Sequence, residues 1–294
     1  MAIYSANGTP LEAFYKSDGT RLFSAYDKNG NIIASNINYD DYVISDYCNV
    51  SLSPMQGFDI HNGVIFQFMA NSSTNNLMCT VNAATSAILQ NNIAATSDHG
   101  DSASFSSEFV DNDEFPLLYV TSDTNPAKVY INRVTTTTST LIKTLAFPLD
   151  KTGYYAAAAL DATRNILYMV GYSEQNYQSA DDGANKTVIS KWDMTRLADN
   201  GDNTYTPAFV SAIERPFIYV MQGQQYHDGM IWIASGATNV HGYVYALDPL
   251  DGTLLHTIDT DATTEIEGVA FISNTEMVFG LQGGTYKKVT FATR

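Results

Sequence analysis

Met55-Gln56-Gly57-Phe58-Asp59-Ile60-His61-Asn62-Gly63-Val64-Ile65-Phe66 returns later in the chain as Met221-Gln222-Gly223-Gln224-Gln225-Tyr226-His227-Asp228-Gly229-Met230-Ile231-Trp232. The two segments share Met, Gln, Gly, His and a second Gly, and an Asn or Asp precedes that second Gly. Weaker copies begin at His99-Gly100 and at Glu267-Gly268. Self-similarity at a distance is typical of repeat architectures. We therefore interpret the chain as a series of repeated units.

Composition limits the classes of protein to which the chain can belong. Its 294 residues suffice for one large all-β domain or two ordinary ones, and 45% hydrophobic residues can form a substantial core. The net charge of -16 disfavours binding to nucleic acid or to anionic membrane surfaces. No apolar run approaches the length of a membrane span. The two cysteines, Cys48 and Cys79, provide neither zinc spacing nor a disulfide framework.

Each repeated unit reads as four short strands separated by turn signals. In the first unit, the turn at Asn62-Gly63 leads into Val64–Met69, and further strands are predicted at 77–81 and 87–89. A second unit is expected from a strand at 102–110 onward, and a third from 156 to 210. No long helix is expected, although Arg196 to Asn200 reads as a turn. This spacing is typical of the blades of a β-propeller.

The last unit predicts how the ring closes. From Glu267 to Arg294 there is room for three strands only, whereas residues 41–50 provide a spare strand before the first motif. Pairing the two would leave no long exposed edge. The sequence therefore predicts an all-β fold: a five-bladed β-propeller over residues 37–294, closed by an N-terminal strand.

A shorter repeat occupies residues 1–36. Tyr-x-x-[Asn/Asp]-Gly begins at Tyr4, Tyr15 and Tyr26, with a period of eleven residues. Asn-Gly and Asp-Gly between short apolar stretches are strong hairpin signals. Three such units cannot bury a core of their own, so we expect this N-terminal repeat arm to pack on the propeller or on copies of itself in a homo-oligomer. The alternative is a loosely ordered arm.

Propeller geometry predicts where a ligand would bind. The first strand of each blade lines the central channel, so the residues that begin these strands should ring one mouth, and glycines should follow where backbones crowd. The loop from 172 to 185 is the longest predicted insertion on that face. The candidate ligand-binding residues are Gln56, His99, Tyr155, Gln222, Glu267, Tyr172 and Tyr177.

The residue types at this mouth suit a neutral, polyhydroxylated ligand, because amides pair with hydroxyl groups and aromatic rings pack on sugar faces. Alternatively, the amides only satisfy neighbouring blades. His61 and His227 are interpreted as turn residues of the opposite face. No catalytic motif is found, and Glu267 is the only acid predicted at the mouth, so no catalytic residue is assigned. No cofactor is expected, and the acidic turns 111–114 and 199–203 are the candidates for calcium.

Two resemblances add to this interpretation. The Tyr-x-x-[Asn/Asp]-Gly units resemble N-terminal repeats of tail-associated and prophage-encoded proteins from phages of Gram-positive bacteria. The remainder resembles five-bladed propellers in receptor-binding proteins of such phages, which engage cell-wall glycopolymers. The resemblance implies a non-enzymatic recognition module with a carbohydrate or glycopolymer ligand, joined to other tail or surface proteins through its arm.

This resemblance also implies a location on a virion or outside the cell without a Sec signal, since the N-terminus lacks a basic and then apolar stretch. Two alternative functions remain open. The Gln-Gly motif is similar to that of propeller-type glutamine cyclotransferases, which implies an enzyme of the cyclotransferase or lyase type with Glu267 and His99 at the channel mouth. The other alternative is a structural spacer.

Overall fold

A computed structural model describes residues 14–15, 21–22, 24–26, 32–35, 37–52, 55–70, 76–122, 124–175 and 185–293. Over these residues the regular secondary structure is β-strand, as the sequence predicts, apart from one four-residue helix, α1 (Leu149–Thr152). Within the described ranges, no helix has the length and apolarity needed to cross a membrane.

Most strands belong to five units, each an antiparallel run in which neighbours along the chain are hydrogen-bonded. Unit 1 comprises β6 (Met55–His61), β7 (Val64–Met69), β8 (Leu77–Asn82) and β9 (Ala87–Ala94). Unit 2 comprises β10 (Ser102–Phe105), β11 (Leu118–Ser122), β12 (Lys128–Val134) and β13 (Ser139–Ala146). Unit 3 comprises β14 (Tyr154–Asp161), β15 (Ile166–Tyr172), β16 (Lys186–Asp199) and β17 (Thr204–Pro216). Unit 4 comprises β18 (Met221–His227), β19 (Met230–Ser235), β20 (Tyr243–Leu247) and β21 (Leu254–Asp259).

The fifth unit closes on the start of the chain. It contains β22 (Ile266–Ser273), β23 (Glu276–Leu281), β24 (Thr285–Thr293) and, beside β24, the early strand β5 (Ile37–Asn49). The β5–β24 pairing is antiparallel and runs from Asn49 opposite Thr285 to Ile37 opposite Thr293. The predicted pairing is therefore present, although the strand begins at Ile37 rather than at residue 41. It begins earlier because β24 is long enough to pair with residues 37 and 38.

Units 2 and 3 depart from the expected separation, because they merge into one eight-stranded sheet. Their outermost strands, β13 and β17, pair in parallel at Thr144–Thr204 and Leu145–Tyr205. This contact depends on the length of β16 and β17, which extend to 14 and 13 residues. The prediction of a turn at Arg196 to Asn200 was wrong, since residues 196–199 continue β16. The first strand of unit 2 is shorter than predicted and ends at Phe105.

The hydrophobic core is distributed between neighbouring units. Phe66 of unit 1 packs with Phe115 and Leu118 of unit 2, and Ala158 of unit 3 packs with Val129 of unit 2. Further clusters join units 3 and 4, units 4 and 5, and units 5 and 1. Each unit therefore buries both of its faces against its neighbours, and the series of contacts returns to its start. This arrangement is propeller-like.

The backbones of the first strands crowd together at the centre. A Cβ atom added at Gly57 would lie 2.5 Å from the carbonyl oxygen of Asp101, and one added at Gly223 would lie 2.6 Å from the Cα of Gly268. Both distances are too short for any side chain. The predicted reason for these two glycines is confirmed.

Side chains also link the first strands across the centre. The carboxylate of Asp59 in β6 accepts hydrogen bonds from Phe105 N in β10 (2.6 Å) and from Gln225 Nε2 in β18 (3.0 Å). Gln225 Oε1 in turn accepts from Phe271 N in β22 at 2.5 Å. Asp59 and Gln225 thus join the first strands of four units.

The backbone of the arm is described in four short strands. β1 (Phe14–Tyr15) pairs with β2 (Arg21–Leu22), and β3 (Ser24–Tyr26) pairs with β4 (Ile32–Ser35), both antiparallel. These pairs flank the predicted turns at Asp18-Gly19 and Asn29-Gly30. The turns themselves and the unit at Tyr4 lie outside the described residues. The packing of the arm therefore stays a prediction.

Candidate functional site

A cavity of about 370 Å³ opens where the first strands begin. Five of the residues selected from the sequence line it together. These are Gln56, His99, Tyr155, Tyr172 and Gln222. The other lining residues are Asp101, Ala157, Tyr219, Val220, Met221, Ala237 and Glu265.

Strand position explains why residues so distant in sequence meet here. Gln56, Tyr155 and Gln222 are each the second residue of a first strand, in β6, β14 and β18. His99 lies three residues before β10. Because the first strands run side by side at the centre, their initial residues share one end of it.

The charge of the cavity differs from the sequence prediction. Glu267 was expected to be the only acid at the mouth, and this was wrong, because Asp101 and Glu265 also line the cavity. His99 Nδ1 lies 2.5 Å from Asp101 Oδ1. Gln222 Nε2 donates to Glu265 Oε1 at 2.6 Å. Both acids were missed because the repeat motif contains neither of them.

Glu265 belongs to the segment that leads into unit 5. Its second carboxylate oxygen accepts a hydrogen bond from Gln282 Nε2 at 3.2 Å. Partial burial raises its pKa above the ordinary value, whereas the hydrogen bond from Gln222 and the nearby His99 act in the opposite direction. Glu265 therefore couples Gln222 of unit 4 to the turn after β23 in unit 5.

Glu267 does not line the cavity but lies buried beside it, with 2% of its surface exposed. Among the described residues, its Oε1 atom has no hydrogen-bond partner. Burial, followed by the charges of Glu265 and Asp101, raises its pKa to about 9, although His99 opposes the shift. Glu267 is therefore a neutral acid at pH 7.

Three tyrosines contribute to the cavity in different ways. Tyr172 is 2% exposed, and its hydroxyl accepts a hydrogen bond from Met221 N at 2.6 Å, so it supports the wall. Tyr219 is 38% exposed, and Tyr155 is half-buried. The ring of Tyr219 is therefore partly open to solvent at this mouth. Tyr177 lies outside the described residues, as does most of the 172–185 loop.

The backbone of the cavity is strained at two non-glycine residues. Tyr155 has φ of 51° and Val220 has φ of 38°. Bulky and β-branched side chains rarely adopt positive φ, and such residues cluster at functional sites. At Tyr155 the main-chain N–H is held by Asn125 Oδ1 at 2.9 Å. The observation marks this mouth as a candidate for function.

A second cavity, of about 320 Å³, lies at the opposite ends of β14 and β18. Asp161, Arg164, Tyr226 and His227 are among its lining residues. Arg164 forms an ion pair with Asp161 and a hydrogen bond to the hydroxyl of Tyr226. His227 precedes the turn on this side, and Gln222 lines the first cavity from the other end of the same strand. The expected placement of His227 on the opposite face agrees with this geometry.

One acid in each of the two calcium candidates makes a contact within the chain. Asp113 forms two hydrogen bonds to Arg133, of 2.6 and 2.7 Å, and Asp199 Oδ1 accepts from Gly201 N at 2.8 Å. Another group of metal-type ligands, His241, Asp259 and Asp261, is exposed and does not line either cavity. Cys48 and Cys79 are buried free thiols.

Sequence reasoning missed Asp101, Glu265 and Tyr219, and no periodic signal indicates them. Asp101 follows a turn in which Asp98 and Gly100 have positive φ, and Glu265 lies just before β22. The alternation of an extended strand therefore applies to neither acid. Tyr219 precedes the second motif and likewise has no signal.

Comparisons with known proteins leave the family open. No family model matches the chain, and no curated protein matches it. Among solved structures, a Bacteroides thetaiotaomicron protein of unknown function is 11% identical, with a TM-score of 0.47 over 94% of this chain and 80% of that chain. The PQQ-bound aldose sugar dehydrogenase of Streptomyces coelicolor is 11% identical, with a TM-score of 0.48 over 86% of this chain and 99% of that chain. A chain of a mitotic checkpoint complex is 10% identical, with a TM-score of 0.42 over 88% of this chain and 94% of that chain. The propeller-like description rests instead on the strand pairing and core contacts given above.

Proposed function

We propose that the chain is a five-bladed β-propeller that binds a carbohydrate at the cavity between Gln56 and Gln222, as a non-enzymatic recognition module. Each unit would be one blade, and β5 would complete the last. The circular series of core clusters supports this blade count, and the two pairs between β13 and β17 would be a local bridge between blades. An experimental structure with a different number of blades would refute the count.

One observation carries the binding proposal: amides, carboxylates and partly exposed tyrosine rings from different units meet in one cavity. Sugar hydroxyl groups need donors and acceptors in several directions, which Gln56, Gln222 and Glu265 supply. Sugar ring faces pack on aromatic rings, for which Tyr155 and Tyr219 are placed. A cavity of this size can hold one or two sugar rings.

A glycan array with the full chain, repeated with and without calcium, is the first test. The bound glycan is then titrated against Gln222→Ala, which removes a donor from the cavity. Losing a buried hydrogen-bond partner costs about 1–3 kcal/mol, so we expect affinity to fall about tenfold or more. Because Gln222 also holds Glu265, the unfolding of the variant must be measured alongside.

The matched control is Gln90→Ala, which makes the same change on an exposed strand residue outside the cavity. It should bind as the unmodified chain does. If no glycan binds, or if Gln222→Ala binds normally, the proposal of a carbohydrate site at this mouth fails.

The alternative enzymatic function is favoured by a separate observation. Glu267 holds a proton at neutral pH, while Asp101 pairs with His99 nearby. A buried acid that keeps its proton at neutral pH, close to a histidine–carboxyl pair, is an arrangement that general acid–base catalysis uses. Mass spectrometry of array ligands and of peptides with N-terminal glutamine, after incubation with the chain, tests this function. A product formed by the chain and not by Glu267→Gln would establish it.

We also propose that residues 1–36 attach the propeller to a phage-like tail or surface assembly, or to copies of itself. The period of the Tyr-x-x-[Asn/Asp]-Gly units and the strand pairs β1–β2 and β3–β4 support this role. Deletion of residues 1–36 should change the oligomeric mass measured by light scattering, that is, the number of subunits, while leaving the melting temperature of the propeller nearly unaltered. An unchanged number of subunits would count against self-assembly.

A further inference from the structure

The first cavity is surrounded by all five units of the fold. Gln56 lines it from unit 1, Tyr155 from unit 3 and Gln222 from unit 4. Asp101 and Glu265 line it from the segments that lead into units 2 and 5. A ligand in this cavity therefore has protein on every side around the centre.

The end of the cavity that points into the protein is closed by the main chain. A Cβ atom added at Gly57 of unit 1 would lie 2.5 Å from the carbonyl oxygen of Asp101, and one added at Gly223 of unit 4 would lie 3.1 Å from the same oxygen. The backbones of these units therefore meet at one carbonyl group, with no room for a side chain between them. Gly57 and Gly223 directly follow the lining residues Gln56 and Gln222, so this contact forms the floor of the cavity.

Further contacts close the centre beyond this floor. Ser102 Oγ lies 2.9 Å from Ala158 O and 2.7 Å from Gln224 O, so one hydroxyl group connects units 2, 3 and 4. The hydrogen bond between Gln225 Nε2 and Asp59 Oδ1, of 3.0 Å, then joins units 4 and 1. The second cavity lies on the far side, at the opposite ends of β14 and β18. Among the described residues, the first cavity is therefore a pocket with one opening and not one end of a channel.

We propose that this pocket takes one end of a glycan chain and does not bind the interior of the chain. The inference rests on the proposed carbohydrate binding and specifies which part of the ligand enters. A polymer that passes through a site needs two openings, one for each direction of the chain, whereas this pocket is surrounded by five units and closed at its floor. A volume of about 370 Å³ holds one or two sugar rings, so only terminal rings make contact. The ligand class is a glycan with accessible chain ends, such as the short side chains of a branched surface polymer.

The test measures how affinity depends on glycan length, by isothermal titration calorimetry with the full chain. The probes are linear oligomers derived from chitin, starch and galactan, each with two, four and six rings, and the same series of any other glycan that the array identifies. We expect nearly unchanged affinity from two to six rings and one bound protein for each oligomer, because the added rings stay outside the pocket. A site for the chain interior would instead gain affinity with length, since a longer oligomer offers more positions and more contacts.

Two variants show whether the measured binding takes place in this pocket. Ala237 lines it, so Ala237→Trp should fill the space and abolish binding. The matched control is Ala94→Trp, at an exposed residue of β9 outside the pocket, which should bind as the unmodified chain does. Urea unfolding of both variants is measured alongside, and the length series needs no variant.

The outcomes separate this inference from the proposed function. Affinity that rises with each added ring and is lost in Ala237→Trp would overturn end binding while the carbohydrate site survives. Glycan binding that persists in Ala237→Trp would lie elsewhere on the protein and would overturn both. Absence of binding to every glycan would also overturn both.

Discussion

The two copies of the long motif, Gln56 to His61 and Gln222 to His227, begin and end with the same residue types but lie in different surroundings. At the fourth position the first copy has Asp59 and the second has Gln225. The two are hydrogen-bonded to each other at 3.0 Å. Asp59 can only accept when ionised, so it receives donors from two other strands, whereas Gln225 donates to Asp59 and accepts from Phe271. The departure from the repeat is therefore a complementary pair that joins two units.

This comparison shows that the residues shared by the two copies and the residues that differ between them have separate causes. Both copies have glycine, at Gly57 and Gly223, because both strands approach a neighbouring backbone at the centre. Asp59 and Gln225 differ because two carboxylates or two amides would not complete the same chain of hydrogen bonds. Burial raises the pKa of Asp59 to about 7, although its hydrogen bonds oppose the shift.

The largest expected effect concerns the residues that the copies share. Gly57→Ala and Gly223→Ala each place a Cβ within 2.6 Å of another backbone, which forces strands apart. We expect losses of about 3 kcal/mol or more in the free energy of unfolding, measured with urea. Gly63→Ala is the control, because no atom lies near its added Cβ and only the positive φ opposes it, at about 1 kcal/mol. Equal losses in the free energy of unfolding for Gly57→Ala and Gly63→Ala would contradict the close approach of backbones at the centre.

The second prediction removes the difference between Asp59 and Gln225. Gln225→Glu would set a second carboxyl group 3.0 Å from Asp59, so the folded pair must retain one proton more than Asp59 alone, whose pKa is already raised to about 7. Stability relative to the unmodified chain should therefore fall as pH rises from 4 towards 8, by up to about 1.4 kcal/mol per pH unit beyond the slope of the unmodified chain. Urea unfolding at several pH values measures this slope. Asp59→Asn in the same chain should recover part of the loss, and a slope equal to that of the unmodified chain would disprove the pairing.

A smaller effect extends the comparison to the weaker copy at Glu267-Gly268, in which Glu267 stands where the two strong copies have Gln. Its pKa of about 9 when folded exceeds the ordinary value of 4.5, so the folded state holds a proton that the unfolded state loses between these values. Stability should then decrease as pH rises from 4.5 to 9. Glu267→Gln should be more stable than the unmodified chain at pH 8, by about 1 kcal/mol or more, and the gain should vanish near pH 4. Thermal melting across this range checks the sign, with Glu114→Gln as control.

The smallest effect is a titration difference between the two histidines. Burial lowers the pKa of His227 to about 4, where its ring stacks on Phe271 at 3.8 Å. Burial also lowers the pKa of His61 below 6.5. In an NMR titration His61 should gain its proton at a higher pH than His227. The reverse order would show that the two copies do not differ in burial as described.

Sequence patterns anticipated a large part of the fold for identifiable reasons. Asn62-Gly63 and Asp228-Gly229 signalled hairpin turns, and the shortage of strands after Glu267 predicted the pairing with the early strand. The merger of units 2 and 3 was not predictable, because the parallel bridge at Thr144–Thr204 joins two outermost strands that no turn signal or missing strand connects. At the candidate site, repetition selected Gln56 and Gln222, but it could not indicate Asp101 or Glu265, which are not part of the repeated motif.

The sequence by itself determined the all-β class, the order of the strands and the glycines at the centre, because turn signals and alternation act over a few residues. Only the tertiary structure decided which side chains share an environment. Glu267 reads in the sequence as one more residue of the mouth ring, yet burial beside Glu265 and Asp101 makes it a neutral acid with an unpaired oxygen. Desolvation and charge coupling depend on groups brought together from separate units, and no local pattern specifies them.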